Sequence, residues 1–281
     1  MRYCNGRFSR QRSTSRVRAS SLIATTIAIA ASIVTVIGAE TAHAQTNPVP
    51  ILVELFTSEG CSSCPPADAW LQQLESSQPI PGAQLIVLSE HVDYWDHDGW
   101  KDPYSSSLAT DRQQDYVRAM SLSGPYTPQL VVDGKAELHL DQPDQVRRTL
   151  LAASQSAAVP VTIGPVKVTE GSAALLQSHI EVDGTSARRS ADIYAAIALD
   201  HAESQVLHGE NGGRHLTHIA VVHDLIKVGR VEKGKTFSRD FQTKLSAGMS
   251  AKKLRLVVFV QEPDAGSVVG AAVQRIQNNG N

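Results

Sequence analysis

Ile51-Leu52-Val53-Glu54-Leu55-Phe56-Thr57-Ser58-Glu59-Gly60-Cys61-Ser62-Ser63-Cys64-Pro65-Pro66-Ala67-Asp68 is the stretch on which the fold turns. The apolar run Ile51 to Phe56 reads as a buried strand. A short polar turn follows, with two cysteines spaced Cys-x-x-Cys. Pro65 and Pro66 then open an amphipathic stretch in which Ala67, Trp70, Leu71 and Leu74 fall at helical spacing. Proline is tolerated in a first helical turn, where its missing N–H would have no partner anyway. The cysteines therefore sit between a strand and a helix N-terminus. The partial positive charge there favours a thiolate and lowers its pKa.

Outward from this stretch, residues 1–44 read as a secretory leader. Six arginines (Arg2, Arg7, Arg10, Arg12, Arg16, Arg18) precede an apolar run from Leu22 to Gly38, and Ala42-His43-Ala44 offers a small-x-small cleavage site before Gln45. The competing reading is a retained anchor, for which a run of about 17 residues is at the short limit. Cleavage implies a periplasmic or secreted protein with no stable membrane span. The leader takes six arginines and one glutamate, so 20 basic face 27 acidic residues in the rest. An acidic chain without a basic run argues against nucleic acid as a partner. Cys4 leaves with the leader, so Cys61 and Cys64 are the mature cysteine pair. A bridge closing so small a loop restricts the unfolded chain little, which favours a redox role over a scaffolding one.

Further along, Leu85-Ile86-Val87-Leu88 reads as a second buried strand, parallel to the first through a right-handed crossover. The aromatic, charged segment His91 to Tyr104 reads as a loop, and Leu108 to Leu122 as a helix. Gln129 to Val132 is a third strand, Asp133-Gly134 a hairpin turn, and Lys135 to Leu140 its antiparallel return. A helix capped by Asp141 runs to about Ala158. From Val159 onward the composition changes to alternating, β-branched segments: Val161–Thr169, Ala174–Val182, Asp192–Leu199, His215–Val228, Thr236–Phe241, Leu254–Gln261 and Val268–Ile276. Short strands with regular turns suggest a sandwich. The expected organisation is thus a leader (1–44), an α/β domain (45–158) and an all-β, sandwich-like domain (159–281).

The order β-(Cys-x-x-Cys)-α-β-α-β-β-α, with Pro128 just before the third strand, resembles the thioredoxin fold. More closely, Glu54 to Asp68, His91-Val92-Asp93-Tyr94-Trp95, Gly99-Trp100-Lys101-Asp102-Pro103, Tyr126 to Gly134 and Glu210-Asn211-Gly212-Gly213-Arg214 look like an exported bacterial thioredoxin-like family catalogued as a domain of unknown function. The resemblance implies that Cys61 is the attacking cysteine and Cys64 the resolving one. It also implies that Pro128 follows a cis bond and lies against the redox loop. Glu54 stands seven residues before Cys61, where the thioredoxin acid stands six. Gly60 replaces the usual aromatic residue, and Ser62-Ser63 the usual Gly-Pro.

The expected chemistry is thiol–disulfide exchange, which needs no bound cofactor. Glu54 is the candidate carrier of the Cys64 proton. Glu59, two residues before Cys61, is expected to raise the thiol pKa by repulsion. His91, Asp93, Tyr94 and Trp95, on the loop after the second strand, should rim the cysteines as substrate contacts, together with Thr127. Partners would be protein or small-molecule thiols and disulfides of the cell envelope and a separate redox partner. Two other functions stay open: a non-enzymatic binding or redox-sensing module, and copper binding by Cys61, Cys64 and His91. Glu210 to Arg214 reads as a Gly-rich β-turn holding an Arg–carboxylate pair, with a loop facing the redox site as the alternative. His215 and His218, an odd number apart, cannot share a strand face.

Overall fold

Val49–Thr57 forms β1, and its neighbours on the sheet follow from the burial of its apolar residues on both faces. In this computed structural model, which describes residues 47–169, 174–246, 249 and 253–276, the remaining helices and strands come in the following order. They are α1 (Pro65–Ser77), β2 (Ala83–His91), α2 (Ser107–Ala119), β3 (Gln129–Val132), β4 (Ala136–Leu138), α3 (Pro143–Ala153), β5 (Val161–Ile163), β6 (Lys167–Thr169), β7 (Leu175–Asp183), β8 (Ala191–Gln205), β9 (His215–Val231), β10 (Thr236–Lys244), β11 (Leu254–Gln261) and β12 (Val268–Arg275). The expected leader lies outside the described residues. Among the described residues, no helix is long and apolar enough to cross a membrane.

The expected division into a thioredoxin-like α/β domain and a separate all-β domain is not what forms. One mixed sheet of eight strands runs β12-β11-β8-β9-β2-β1-β3-β4, so strands from both halves of the chain share it. The joint is β9, which lies parallel to β2 with Val221 opposite Ser89 and antiparallel to β8 along most of its length. The physical reason is that β2 is buried on both faces from Leu85 to His91. An edge strand that apolar needs a covering neighbour, and β9 supplies it. A second sheet, β10-β7-β5 with β6 also on β7, covers one face of the β8/β9/β11 region. Leu176, Ile180 and Val182 of β7 meet Ile193, Ile197, Leu256 and Val258 there.

Strand alternation then assigns the two faces near β1. Ile51, Val53 and Leu55 pack with Leu85, Val87 and the α1 residues Ala67, Leu71 and Leu74. Leu52 packs with Ile86, Leu88 and Phe259 on the other face, and Phe56 lies there with Tyr116 of α2. The α1 face and the α2 face carry different polar clusters.

Candidate functional site

Cys61 and Cys64 form a disulfide, with Cα atoms 5.5 Å apart. Both side chains are buried, at 1% and 0% exposure, while Ser62 and Ser63 between them are exposed. Cys64 caps α1, whose first two residues are Pro65 and Pro66. The prolines remove two N–H groups from the first turn. The N–H of Cys64 donates to the Cys61 carbonyl, and those of Ala67 and Asp68 donate to the Cys64 carbonyl. Backbone donors that would hold a thiolate are thus largely used, and the polar group nearest Cys61 Sγ is Ser63 Oγ, at 3.4 Å.

The loop is pinned from the second half of the chain. Asn211, on the loop joining β8 to β9, donates from Nδ2 to the carbonyls of Glu59 (2.8 Å) and Cys61 (2.9 Å). Glu210 accepts from the Ser62 N–H at 3.1 Å, and the Ser62 hydroxyl and N–H together hold its carboxyl below the usual range. The Glu210–Arg214 segment therefore faces the Cys61–Cys64 loop and is not the self-contained turn expected. Gly60 is needed for the same packing: a Cβ there would stand 3.0 Å from Trp95 Cβ.

A buried polar cluster lies on the α1 face. Glu59, fully buried, accepts from Trp100 Nε1 (2.8 Å) and Ser204 Oγ, and its Oε1 lies 3.2 Å from His218 Nε2. The other side of His218 points at Asp68, with Nδ1 3.4 Å from Oδ1, an ion-pair contact and not an aligned hydrogen bond. Asp68 Oδ2 accepts from Thr57 Oγ1 at 3.2 Å. Burial works against a charge on His218, but Asp68 and Glu59 on either side outweigh it and push its pKa up to about 9. The repulsion expected between Glu59 and the cysteines is thereby offset by an adjacent imidazolium. His91 stands edge-on to His218, ring centroids 4.6 Å apart, and its Nδ1 pairs with Asp102 Oδ2 at 2.7 Å. Burial would raise the Asp102 carboxyl, yet His91 and the N–H groups of Glu59 and Tyr104 hold it below the usual range.

The expected site residues divide between the faces. Tyr94 donates to Gln113 Oε1, and Asp93 accepts from Thr110 Oγ1 at 2.6 Å. Trp95 donates from Nε1 to Thr127 Oγ1 at 2.8 Å while covering Gly60, so Thr127 is tied to the cysteine loop through it. The Thr127–Pro128 bond is cis. His91 sits behind the loop in the buried cluster, not on a rim. Glu54 is on the other face of the sheet: Arg112 Nε and Tyr116 Oη each lie 2.6 Å from its oxygens, and Gln261 Nε2 donates to Tyr116 Oη. Beside it Glu90 is wholly buried. Burial pushes its carboxyl well up, with Arg112 pulling the other way and Glu54 adding to the rise. Among the described residues no group of three or more His, Cys, Asp or Glu side chains is arranged to hold a metal.

Asp68, His218 and Asp102 join the site without being among the residues expected there. Asp68 had a signal, since it stands four residues after Cys64 on one helix face. Asn211 had one too, in the Glu210–Arg214 motif, whereas His218 had none, because its place depends on β9 reaching β2.

Two other places fit less well. His179 links Asp240 Oδ1 (2.7 Å) and Ser238 Oγ (2.9 Å), the order of a hydrolytic triad. Its Asp240 carboxylate is 95% exposed, where water screens the charge that such a relay uses. A cavity of about 650 Å³ is lined by Val49, Asp133, Lys135, Arg188, Arg189 and Glu262, among others. It opens at the start of β1, the opposite end from the disulfide.

A crystal structure of an Agrobacterium tumefaciens protein is similar over 84% of this chain and 98% of its own, at 24% identity and a TM-score of 0.59. HBP35 of Porphyromonas gingivalis is similar over 84% of this chain and 79% of its own, at 15% identity and a TM-score of 0.60. Both likenesses speak for the fold. Curated proteins give no match. The profile described as "Protein of unknown function (DUF1223)" matches residues 52–261, which take in the disulfide loop, Asp68, Asn211 and His218. This chain belongs to the DUF1223 family.

Proposed function

We propose that the protein is an exported thiol–disulfide exchange protein whose working pair is Cys61 and Cys64. The observation that carries this reading is the disulfide between strand and helix, backed by a buried cluster of ionisable groups. In the reducing direction, the Cys61 thiolate attacks a substrate disulfide and expels one substrate thiolate. Cys64 then attacks Cys61 Sγ, forming the Cys61–Cys64 bond and releasing the second substrate thiol. Two electrons pass to the substrate, and the reverse sequence oxidises a dithiol. With Cys61 only 1% exposed, a substrate gains access when the Glu210–Asn211 contacts open. The substrates are thiols and disulfides of the cell envelope, and a separate redox partner resets the pair.

The test is exchange between reduced protein and oxidised glutathione. Wild type should form the Cys61–Cys64 bond with release of two glutathione thiols, Cys61→Ser should lose exchange, and Cys64→Ser should stop at a mixed disulfide on Cys61. Absence of exchange in the wild type would overturn the reading.

A second reading, a redox-responsive binding module, draws on the Asn211 clamp. Reduction lengthens the Cys61–Cys64 separation and loosens the Cys61 carbonyl that Asn211 holds. This reading expects the reduced protein to be cut faster by protease within 206–214 while glutathione exchange stays negligible.

A further inference from the structure

Exchange at a buried pair needs a group to take the proton of the resolving thiol. The α1 face presents one that the sequence reading did not consider. Asp68 is four residues after Cys64, and Cys64 itself has helical dihedrals (φ −78°, ψ −37°). Side chains four apart on a helix are neighbours, with Cβ atoms about 5–6 Å apart, and lean towards the N-terminus. This spacing puts Asp68 and Cys64 on one face of α1, next to each other along the helix. Asp68 is 5% exposed; its Oδ2 is held by Thr57, while its Oδ1 makes no hydrogen bond and meets His218 Nδ1 only as an ion-pair contact at 3.4 Å. A buried carboxylate oxygen without a donor is costly unless it has a use.

We infer that Asp68 is the base that accepts the Cys64 proton, and that His218, held by Glu59, is the positioning residue that aims and charge-balances it. The inference rests on the exchange reading above. As Cys64 attacks Cys61 Sγ, its S–H proton passes to Asp68 Oδ1 and the Cys61–substrate bond breaks. The departing substrate thiolate takes a proton from water. In the reverse direction Asp68 returns the proton to Cys64 as it leaves.

The charges facing this position come from several elements. His218 of β9 stands between Asp68 of α1 and Glu59 of the redox loop. His91 of β2 and Tyr104 lie edge-on behind it, with Asp102 beyond His91. The trio of His218, Glu59 and Asp68 sets two carboxyl groups around one imidazole. Such a site keeps Cys64 a thiol at rest and welcomes its proton during attack. Glu54 does not compete, since Arg112 and Tyr116 occupy its oxygens on the other face.

The test is rapid-mixing of reduced protein with oxidised glutathione, following the resolution phase from pH 6 to pH 9. In the wild type that rate should be nearly flat, because the proton goes to an internal base. Asp68→Asn should slow resolution at pH 7 by about 10²-fold, the general range of base catalysis. Its rate should then rise about tenfold per pH unit as hydroxide ionises Cys64 directly. Alkylation of Cys61 by iodoacetamide should keep its wild-type rate within about twofold. His218→Gln should give an intermediate loss. A wild-type rate that itself rises tenfold per pH unit overturns the role of Asp68 without any variant. So does an Asp68→Asn loss that is equal at every pH. Failure of the exchange reading looks different, since the wild type would then release no glutathione thiol at all.

Discussion

His218 shows how one residue can carry consequences that its surroundings alone explain. An imidazole 2% exposed would ordinarily be neutral, because burial disfavours its charge. Carboxylates on both sides reverse this and push its pKa up to about 9, against about 6.5 for a free histidine. The folded state therefore holds a proton that the unfolded chain releases. Its contribution is fully present below about pH 6.5 and is lost as the pH rises through about 9. The shift corresponds to about 3 kcal/mol. Urea unfolding of the oxidised protein at pH 6.5 and pH 9.5 should show wild-type stability falling by that order. His218→Gln should be less stable at pH 6.5, with the gap to wild type closing at pH 9.5. A gap that stays constant would mean that His218 is neutral in the fold.

At the scale of elements, the loop joining β8 to β9 does more than turn the chain. Its Asn211 donates to two carbonyls, that of Glu59 and that of Cys61, which also accepts from the Cys64 N–H. Asn211→Ala would leave the Glu59 carbonyl without this donor and the Cys61 carbonyl with the Cys64 N–H alone, at about 1–3 kcal/mol. For a chain of this size the Tm should drop by about 2–4 °C per kcal/mol. Opening should also become easier, so reduction by dithiothreitol should be faster than in wild type. An unchanged reduction rate would show that the clamp does not limit access. The elements themselves were largely legible in the sequence. Gln129–Val132 and Leu254–Gln261 form as strands with the expected ends. Val161–Thr169 was read as one strand and is two, broken at Gly164-Pro165, where proline lacks a ladder donor. The side on which Glu54 faces was not legible. Ile51 to Phe56 is apolar on both faces, so no alternation marks which residues share a side with the cysteines. Nor was the adjacency of β9 and β2, since pairing between residues 132 apart in sequence leaves no local trace.

At the scale of the whole molecule, the change in composition at Val159-Pro160 marks a change of architecture but not a line of separation. The eight-stranded sheet crosses it, and three further ties cross it too. Leu52, Ile86 and Leu88 pack on Ala196, Val222, Val257 and Phe259. Gln261 completes the Glu54–Arg112–Tyr116 group, and Val268 donates its N–H to the Asp133 carbonyl. A fragment ending at Ala158 would expose the β9 side of β2 as a long apolar edge, open to pairing with other chains. Re-exposing Leu52, Ile86 and Leu88 alone would cost about 1.5–3 kcal/mol each. That sum is comparable with the roughly 5–15 kcal/mol by which whole domains are stable. The fragment would also lose His218, leaving Glu59 and Asp68 buried together without it, and Asn211, leaving the cysteine loop unpinned. Residues 45–158 expressed alone should therefore aggregate or give no cooperative thermal transition, whereas residues 45–281 should unfold in one step. A fragment that stays monomeric, melts cooperatively and exchanges with glutathione at the full-length rate would show instead that the first half is self-sufficient and that β9 merely docks on it.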